Sequence, residues 1–482
     1  MSSKFARRTF LKGGVGLGAG AMAASPGTQG AAAARTGGNR PPNIVFVLVD
    51  DMRWDQLSLV GHPFVQTPNI DRIGAEGVLF ENSYAITPLC SPSRASTLTG
   101  QYPHTNRIIN NDRNGLSFIS HKLVTFPQLL RRAGYETAFI GKWHMGDDDT
   151  RRPGFDHWIS FRGQGLYVDP VVNVNDKREQ FTGYMTDMLN DWSVDFVKQE
   201  RDKPFLLYLS HKAVHEPFIP AERHQDLYAD QRYSPPPVDE ADLAGKPALQ
   251  RDILPADPKF IPGATPEPAE PRLGRGTSQQ ALYLDYFRSL ASVDEGVGML
   301  FEALEETGQL DDTLFIFTSD NGFTLGEHGE FMNKRIAYEE SLRVPLLMRY
   351  PRRIAPGSTR GQFALNLDIA PTLYDLAGVT PPVPIHGQSL WPVVDDADAE
   401  FRKEFLAEYF LEKVSPLHET WQTVRTERYK YIHYPDLQGM DELYDLQEDP
   451  KEQVNRLHSA EYHPVLRQMQ DKLAELLRTT GA

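Results

Sequence analysis

Asn43-Ile44-Val45-Phe46-Val47-Leu48-Val49, followed at once by Asp50-Asp51, decides the architecture. A continuous apolar run without polar alternation describes a strand buried on both faces, the kind found in parallel sheets covered by helices. Similar short runs recur at residues 137–140, 205–209, 314–318 and 344–348. Between them lie helical patterns. From Tyr286 the apolar positions step to Leu290, Val293, Val297, Leu300 and Leu304, which share one helical face. Strands separated by helices predict an α/β fold with a large, mostly parallel sheet flanked by helices.

Four of these runs end in polar clusters. The first ends in Asp50-Asp51, the run 137–140 in Gly141-Lys142-Trp143-His144, and the run 314–318 in Asp320-Asn321-Gly322; His211 and His215 follow 205–209. Ligands of open α/β sheets bind at the carboxyl ends of the strands, so the four clusters are expected in one crevice. Asp50, Asp51, Asp320 and Asn321 offer oxygen ligands, which suit a hard cation such as calcium or magnesium. Lys142, His144, His215 and Lys334 add positive charge and proton transfer. Together these suit a tetrahedral oxyanion, sulfate or phosphate, whose charge needs neutralising during transfer.

Cys90-Ser91-Pro92-Ser93-Arg94-Ala95-Ser96-Thr97-Leu98-Thr99-Gly100 carries the sharpest signal. Small residues lead into a helix N-terminus, where backbone N–H groups and the helix dipole favour an anion. Cys90 is the only cysteine of the 482 residues, so it has no intrachain disulfide partner. With Arg94 one turn further on, a thiol of depressed pKa is expected, a plausible nucleophile; the alternative is an inert buried cysteine.

Cys90-x-Pro92-Ser93-Arg94 followed by Leu98-Thr99-Gly100 resembles the motif of the type I, formylglycine-dependent sulfatases of the alkaline-phosphatase-like superfamily. The resemblance extends from Asn43 to Leu443-Tyr444-Asp445-Leu446 with Asp449-Pro450. It implies that a formylglycine-generating enzyme converts Cys90 to formylglycine (3-oxoalanine). Asp50, Asp51, Asp320, Asn321 and the modified Cys90 would hold one calcium ion. Arg94, Lys142 and His144 would fix and activate the formylglycine, while His215 and Lys334 contact the sulfate ester. One hydroxyl of the hydrated aldehyde would attack sulfur, His215 or Lys334 would protonate the leaving oxygen, and the second hydroxyl would expel sulfate. Lys334-Arg335-Ile336-Ala337-Tyr338-Glu339-Glu340, with Arg343-Val344-Pro345, is similar to the family as well. The stretch Arg152-Pro153-Gly154-Phe155-Asp156-His157-Trp158, then Gly163-Gln164-Gly165 and Asp169-Pro170, resembles sulfatases of glycosaminoglycan amino sugars, particularly N-acetylglucosamine 6-sulfate.

Residues 1–34 read separately. Arg7-Arg8-Thr9-Phe10-Leu11-Lys12, a mild apolar stretch and Ala31 to Ala34 have the layout of a twin-arginine export signal. The expected partner is the twin-arginine translocase and the expected location periplasmic or extracellular. Without that segment the net charge moves from −15 to −19, because it holds Lys4, Arg7, Arg8 and Lys12 and no acid. Such an acidic chain argues against nucleic acid as partner. No run of about 18 apolar residues follows the N-terminus, so no membrane-spanning segment is expected in the mature chain. Residues 41–385 are assigned to a catalytic domain and 386–482 to a smaller α+β domain, from strand alternation over 420–434 and an amphipathic helix over 464–478. Residues 234–271, rich in proline and acids, read as a surface excursion near the site. Competing readings are an arylsulfatase or a phosphonate or phosphate monoester hydrolase of the same superfamily and, from another class, a non-catalytic sulfated-glycan-binding protein. A zinc phosphatase is disfavoured because the acidic cluster has no histidine.

Overall fold

The computed structural model describes residues 41–112, 115–238, 240–247, 278–329, 333–413 and 418–482. Residues 1–34, read as an export signal, lie outside the described residues, as does most of the proline-rich stretch 234–271. The strands in chain order are β1 (Asn43–Val49), β2 (Val78–Phe80), β3 (Ser83–Tyr84), β4 (Glu136–Gly141), β5 (His157–Ser160), β6 (Val171–Val174), β7 (Lys177–Gln180) and β8 (Phe205–Ser210). These are followed by β9 (Thr313–Ser319), β10 (Leu346–Arg349), β11 (Ser358–Arg360), β12 (Ala364–Leu365), β13 (Glu404–Tyr409), β14 (Trp421–Thr426), β15 (Tyr429–His433) and β16 (Glu442–Asp445).

Ten of them form one sheet in the order β11-β2-β10-β9-β1-β8-β4-β5-β6-β7. Its centre, β9-β1-β8-β4-β5, is entirely parallel. The unbroken apolar runs follow from this position. In β1, Val45, Val47 and Val49 enter one core, and Ile44, Phe46 and Leu48 enter another across the sheet. Strand alternation sends successive side chains to opposite faces, so a strand with two dry faces has no place for a polar residue. The helices Met185–Val197, Gln279–Ser289 and Ala291–Glu306 contribute to the first core, and Cys90–Thr99, Phe126–Arg132 and Ile369–Ala377 to the second. The stripe read from Tyr286 to Leu304 is buried along its length, carried by two helices that meet at Leu290.

One strand differs in direction. The run 344–348 supplies β10, which pairs antiparallel with both β9 and β2. The chain leaves β9 at its carboxyl end, passes through the loop containing Lys334, and re-enters the sheet from that same end. It must therefore run backwards. Composition could not show this, because burial on both faces dictates apolar residues whatever the strand polarity.

β13-β14-β15-β16 form a separate antiparallel sheet, against which the helix His463–Thr480 packs. Its core includes Leu89, Ile336, Ala337 and Tyr338 as well as its own Phe405, Trp421 and Leu443. The second sheet thus packs against the segments that lead into Cys90 and out of Lys334. No helix among the described residues is long and apolar enough to cross a membrane.

Candidate active site

The four polar clusters lie at the carboxyl ends of β9, β1, β8 and β4, which are four adjacent strands. Backbone bonds lock these ends together: Asp50 N–H donates to Ala213 O at 3.0 Å, Asp320 N–H to Val49 O at 3.1 Å, and Lys142 N–H to Ser210 O at 2.8 Å. The last approach requires Gly141, where an added Cβ would lie 1.8 Å from Ser210 O at a φ of +125°. Asp51 and His144 both turn out of their strands with left-handed backbones, at φ 60° and 56°. Such conformations are uncommon outside glycine and cluster where a surrounding structure over-determines them.

Cys90 begins the helix Cys90–Thr99 and is fully buried at the centre of the group. Its Sγ lies 3.5 Å from Asp50 Oδ1 and 2.9 Å from Lys334 Nζ. Lys334 Nζ also donates to Asp51 Oδ1, and Lys142 Nζ to Asp50 Oδ2 and to Gln164 Oε1. Arg94 is sealed beneath the cluster. Its Nε donates to Asp320 Oδ2 at 2.8 Å and its Nη1 to Lys142 O at 2.7 Å and Ser210 Oγ at 2.8 Å; its Nη2 lies 3.3 Å from Asp50 Oδ2. Ser93 Oγ donates to Asp320 O, and Ser91 Oγ to His144 O. The helix is therefore stitched to three strand ends through its first turn.

The expectation of an acidified thiol does not hold. Burial, reinforced by the Asp50 carboxylate, pushes the Cys90 thiol up to about 12. Arg94 gives its charge to Asp50 and Asp320 instead of to sulfur. Burial raises the Asp50 carboxyl, but Lys142, His215, Arg94 and Lys334 outweigh it and hold that group well below the usual range. For Asp320, burial and the neighbouring Asp50 prevail, and its carboxyl rises to about 6. Unmodified Cys90 is thus a neutral thiol beside ionised oxygen donors, a poor nucleophile as it stands.

Oxygen atoms of Asp50, Asp51 and Asp320 converge closely enough to hold a metal ion. Asn321 fits the same role. Its Nδ2 donates to Asp51 Oδ1 at 2.7 Å, while its buried Oδ1 has no hydrogen-bond partner among the described residues. A buried amide oxygen left without a donor costs free energy unless something such as a cation meets it. Asp50 and Cys90 also converge with His215, but the set Asp50, Asp51, Asp320 and Asn321 is all oxygen, as a hard cation requires.

Nδ1 of His215 lies 2.8 Å from Glu216 O. A carbonyl only accepts, so this nitrogen carries the proton and the unprotonated Nε2 faces Asp51 Oδ2 at 3.7 Å. Burial, with Lys142 next, keeps both His215 and His144 well below the normal histidine range. His211 is fully buried; its N–H donates to Leu48 O, and it stays outside the cluster.

Several residues did not stand out in the sequence. Ser210 takes part by closing β8 under Arg94, and its place at the end of an apolar run was the available signal. Asn111 Oδ1 accepts from Ser91 N–H at 2.9 Å; nothing local marks it. Within the stretch compared with amino-sugar sulfatases, Phe155 and Trp158 belong to the core and Arg152 is buried against Ser120 and Asp148. Gln164 alone reaches a catalytic candidate, Lys142. His328 lies in a separate buried group with Asp242 and Glu340.

Comparison with known proteins agrees with this geometry. The sulfatase family model matches residues 42–379, and that of the N-sulphoglucosamine sulphohydrolase C-terminal region matches 326–479. An N-acetylglucosamine-6-O-sulfatase of Bacteroides thetaiotaomicron is 34% identical, covering 91% of this chain and 86% of its own. The N-acetylgalactosamine-6-sulfatase of Homo sapiens is 30% identical over 74% of this chain and 67% of its own. A solved structure of an enzyme with its substrate D-glucosamine-2-N,6-O-disulfate superposes with a TM-score of 0.81 at 33% identity, covering 92% of this chain and 98% of that one. The phosphonate monoester hydrolase of Agrobacterium radiobacter shares the fold at a TM-score of 0.70 and 24% identity, over 91% and 96% of the two chains. The chain belongs to the sulfatase family and is a sulfuric ester hydrolase.

Proposed function

We propose that this sulfatase removes the 6-O-sulfate of an N-acetylated or N-sulfated glucosamine, using formylglycine at position 90 and one calcium ion. The observation that supports the chemistry most directly is the position of Cys90 Sγ, between Asp50 Oδ1 at 3.5 Å and Lys334 Nζ at 2.9 Å. The substrate class is supported by a relative named as an N-acetylglucosamine-6-O-sulfatase and by a similar structure solved with D-glucosamine-2-N,6-O-disulfate.

In this reading Asp50, Asp51, Asp320, Asn321 and residue 90 hold the calcium ion, which would supply Lewis acidity and neutralise sulfate oxygens. Conversion of Cys90 to the aldehyde by a formylglycine-generating enzyme would supply an attacking oxygen where the thiol itself is inert. Arg94 fixes the carboxylates of Asp50 and Asp320 in place. Lys142, held between Asp50 and Gln164, places a positive charge beside residue 90. His144, half-buried and held neutral, would take a proton from residue 90. Lys334 neutralises and protonates the leaving oxygen, because the only proton of His215 is committed to the Glu216 carbonyl and its Nε2 can only accept.

Residues 1–34 act as a twin-arginine signal that delivers the folded enzyme through the translocase to the periplasm or beyond. Residues 41–385 form the catalytic domain and 386–482 the smaller one.

Mass spectrometry of the peptide containing residue 90, from a host with the modifying enzyme, should show it lighter by the difference between a CH2SH and a CHO group. N-acetylglucosamine 6-sulfate should then be hydrolysed in preference to 4-nitrophenyl phosphate. A modified enzyme that favours the phosphate ester would return the assignment to the phosphohydrolase branch.

A further inference from the structure

We infer that Glu412, a buried carboxylate just beyond β13, is the positioning residue that sets Lys334 against position 90. The inference rests on the reading of Lys334 as the group that serves the leaving oxygen.

Glu412 is fully shielded from solvent and belongs to the C-terminal region, yet two of its partners, Arg335 and Asn111, come from segments that flank the site. One oxygen, Oε2, receives Arg335 Nε at 2.5 Å and Tyr409 O–H at 3.2 Å. The other, Oε1, accepts Asn111 N–H at 3.0 Å. Arg335 and Asn111 each lead to one half of the catalytic contact. Arg335 follows Lys334 directly, and its own N–H donates to Pro88 O at 3.2 Å, two residues before Cys90. Asn111 Oδ1 accepts the N–H of Ser91, the residue after Cys90, at 2.9 Å. A single carboxylate is therefore linked to both ends of the 2.9 Å approach between Lys334 Nζ and Cys90 Sγ, through Arg335 on one side and through Asn111 and Ser91 on the other.

The backbone explains why such a clamp is needed. Arg335 has φ 82°, a left-handed conformation that a non-glycine residue adopts at a cost on the order of 1–3 kcal/mol. Three contacts hold it there: the bond to Pro88 O, the Trp421 Nε1 donation to its carbonyl at 2.8 Å, and the ion pair with Glu412. Relaxation of Arg335 toward an ordinary conformation would rotate the preceding residue, and the long Lys334 side chain would carry that error to its ammonium. Partners one layer out from reacting groups contribute rate in this way, without touching substrate.

The test is kinetic and uses the full-length, formylglycine-bearing enzyme, with conversion at position 90 checked by peptide mass in every variant. Glu412→Gln keeps the shape and removes the charge. It should lower kcat on N-acetylglucosamine 6-sulfate about ten- to hundredfold with little change in KM. Its loss on 4-nitrophenyl sulfate, whose leaving group scarcely needs a proton, should be much smaller. Arg335→Gln should show the same pattern, since it removes the charge of the pair from the other side, and it carries the test if Glu412→Gln does not fold. Equal losses on both esters, a change confined to KM, or no loss would overturn the inference. Lys334→Ala separates the two ideas. If that variant lacks the leaving-group dependence, the reading of Lys334 itself fails. If it shows the dependence and both clamp variants do not, the role of Glu412 alone is refuted.

Discussion

Arg94 Nε donates to Asp320 Oδ2 at 2.8 Å across 226 residues of sequence, with both side chains sealed from water. The same guanidinium reaches Asp50 and two oxygens at the ends of β4 and β8. Removing one partner of a buried ion pair leaves the other charge uncompensated, at a cost of about 3–5 kcal/mol. Arg94→Ala should lose stability of that order in urea unfolding of the converted enzyme, and Arg94→Lys less. A loss under about 1 kcal/mol for Arg94→Ala would show that the carboxylates do not depend on this residue.

Calcium should stabilise the fold through Asp50, Asp51, Asp320 and Asn321. A ligand that binds only the folded state adds about 2.7 kcal/mol at a hundred times its Kd. Thermal unfolding of the wild type should therefore shift upward with added calcium and return with a chelator. Asn321→Ala, which deletes the unpartnered oxygen, should weaken the shift; an undiminished shift would place the ion elsewhere.

Cys90→Ala should abolish sulfate release while leaving the thermal midpoint close to that of the unconverted wild type, because the thiol makes few contacts that the fold needs. Measurable turnover in this variant would refute residue 90 as the nucleophile position.

His328 offers a pH test away from the aspartate cluster. Burial, and to a lesser extent the Lys246 ammonium 3.2 Å from its Nδ1, would lower it, but Asp242 at 2.9 Å and Glu340 at 3.4 Å raise it from the ordinary 6.5 to about 9. A group whose folded pKa is raised stabilises fully below the unfolded value and loses that contribution as pH climbs through the folded one. The shift corresponds to about 3 kcal/mol, present below about pH 6.5 and fading toward pH 9. His328→Gln should flatten the fall in stability between those values. An unchanged slope would mean that the histidine is neutral throughout.

Much of this molecule was legible from residue order. Burial on both faces forced β1, β4, β8 and β9 to be apolar from end to end, so their sequences announced central strands. A strand that stops in Asp50-Asp51 or Asp320-Asn321 stops because it has reached solvent or a ligand, which marked the catalytic edge. The hairpin of β14 and β15 and the final helix were readable from their periods. The direction of β10 was not, because an antiparallel strand with two dry faces has the same composition as a parallel one. Nor was the state of Cys90. The motif suggested an activated thiol, but Arg94 turns toward Asp50 and Asp320, and burial prevails at sulfur.

The order of amino acids by itself determined the layered α/β fold, the family and the set of polar residues at the strand ends, since these depend on periodicity and local chemistry that a chain displays in one dimension. Only the tertiary structure decided which of those residues meet, which nitrogen of His215 keeps its proton, and that Glu412 stands behind Lys334. Such relations join positions tens to hundreds of residues apart, and they arise from packing one sheet against another, which no local pattern encodes.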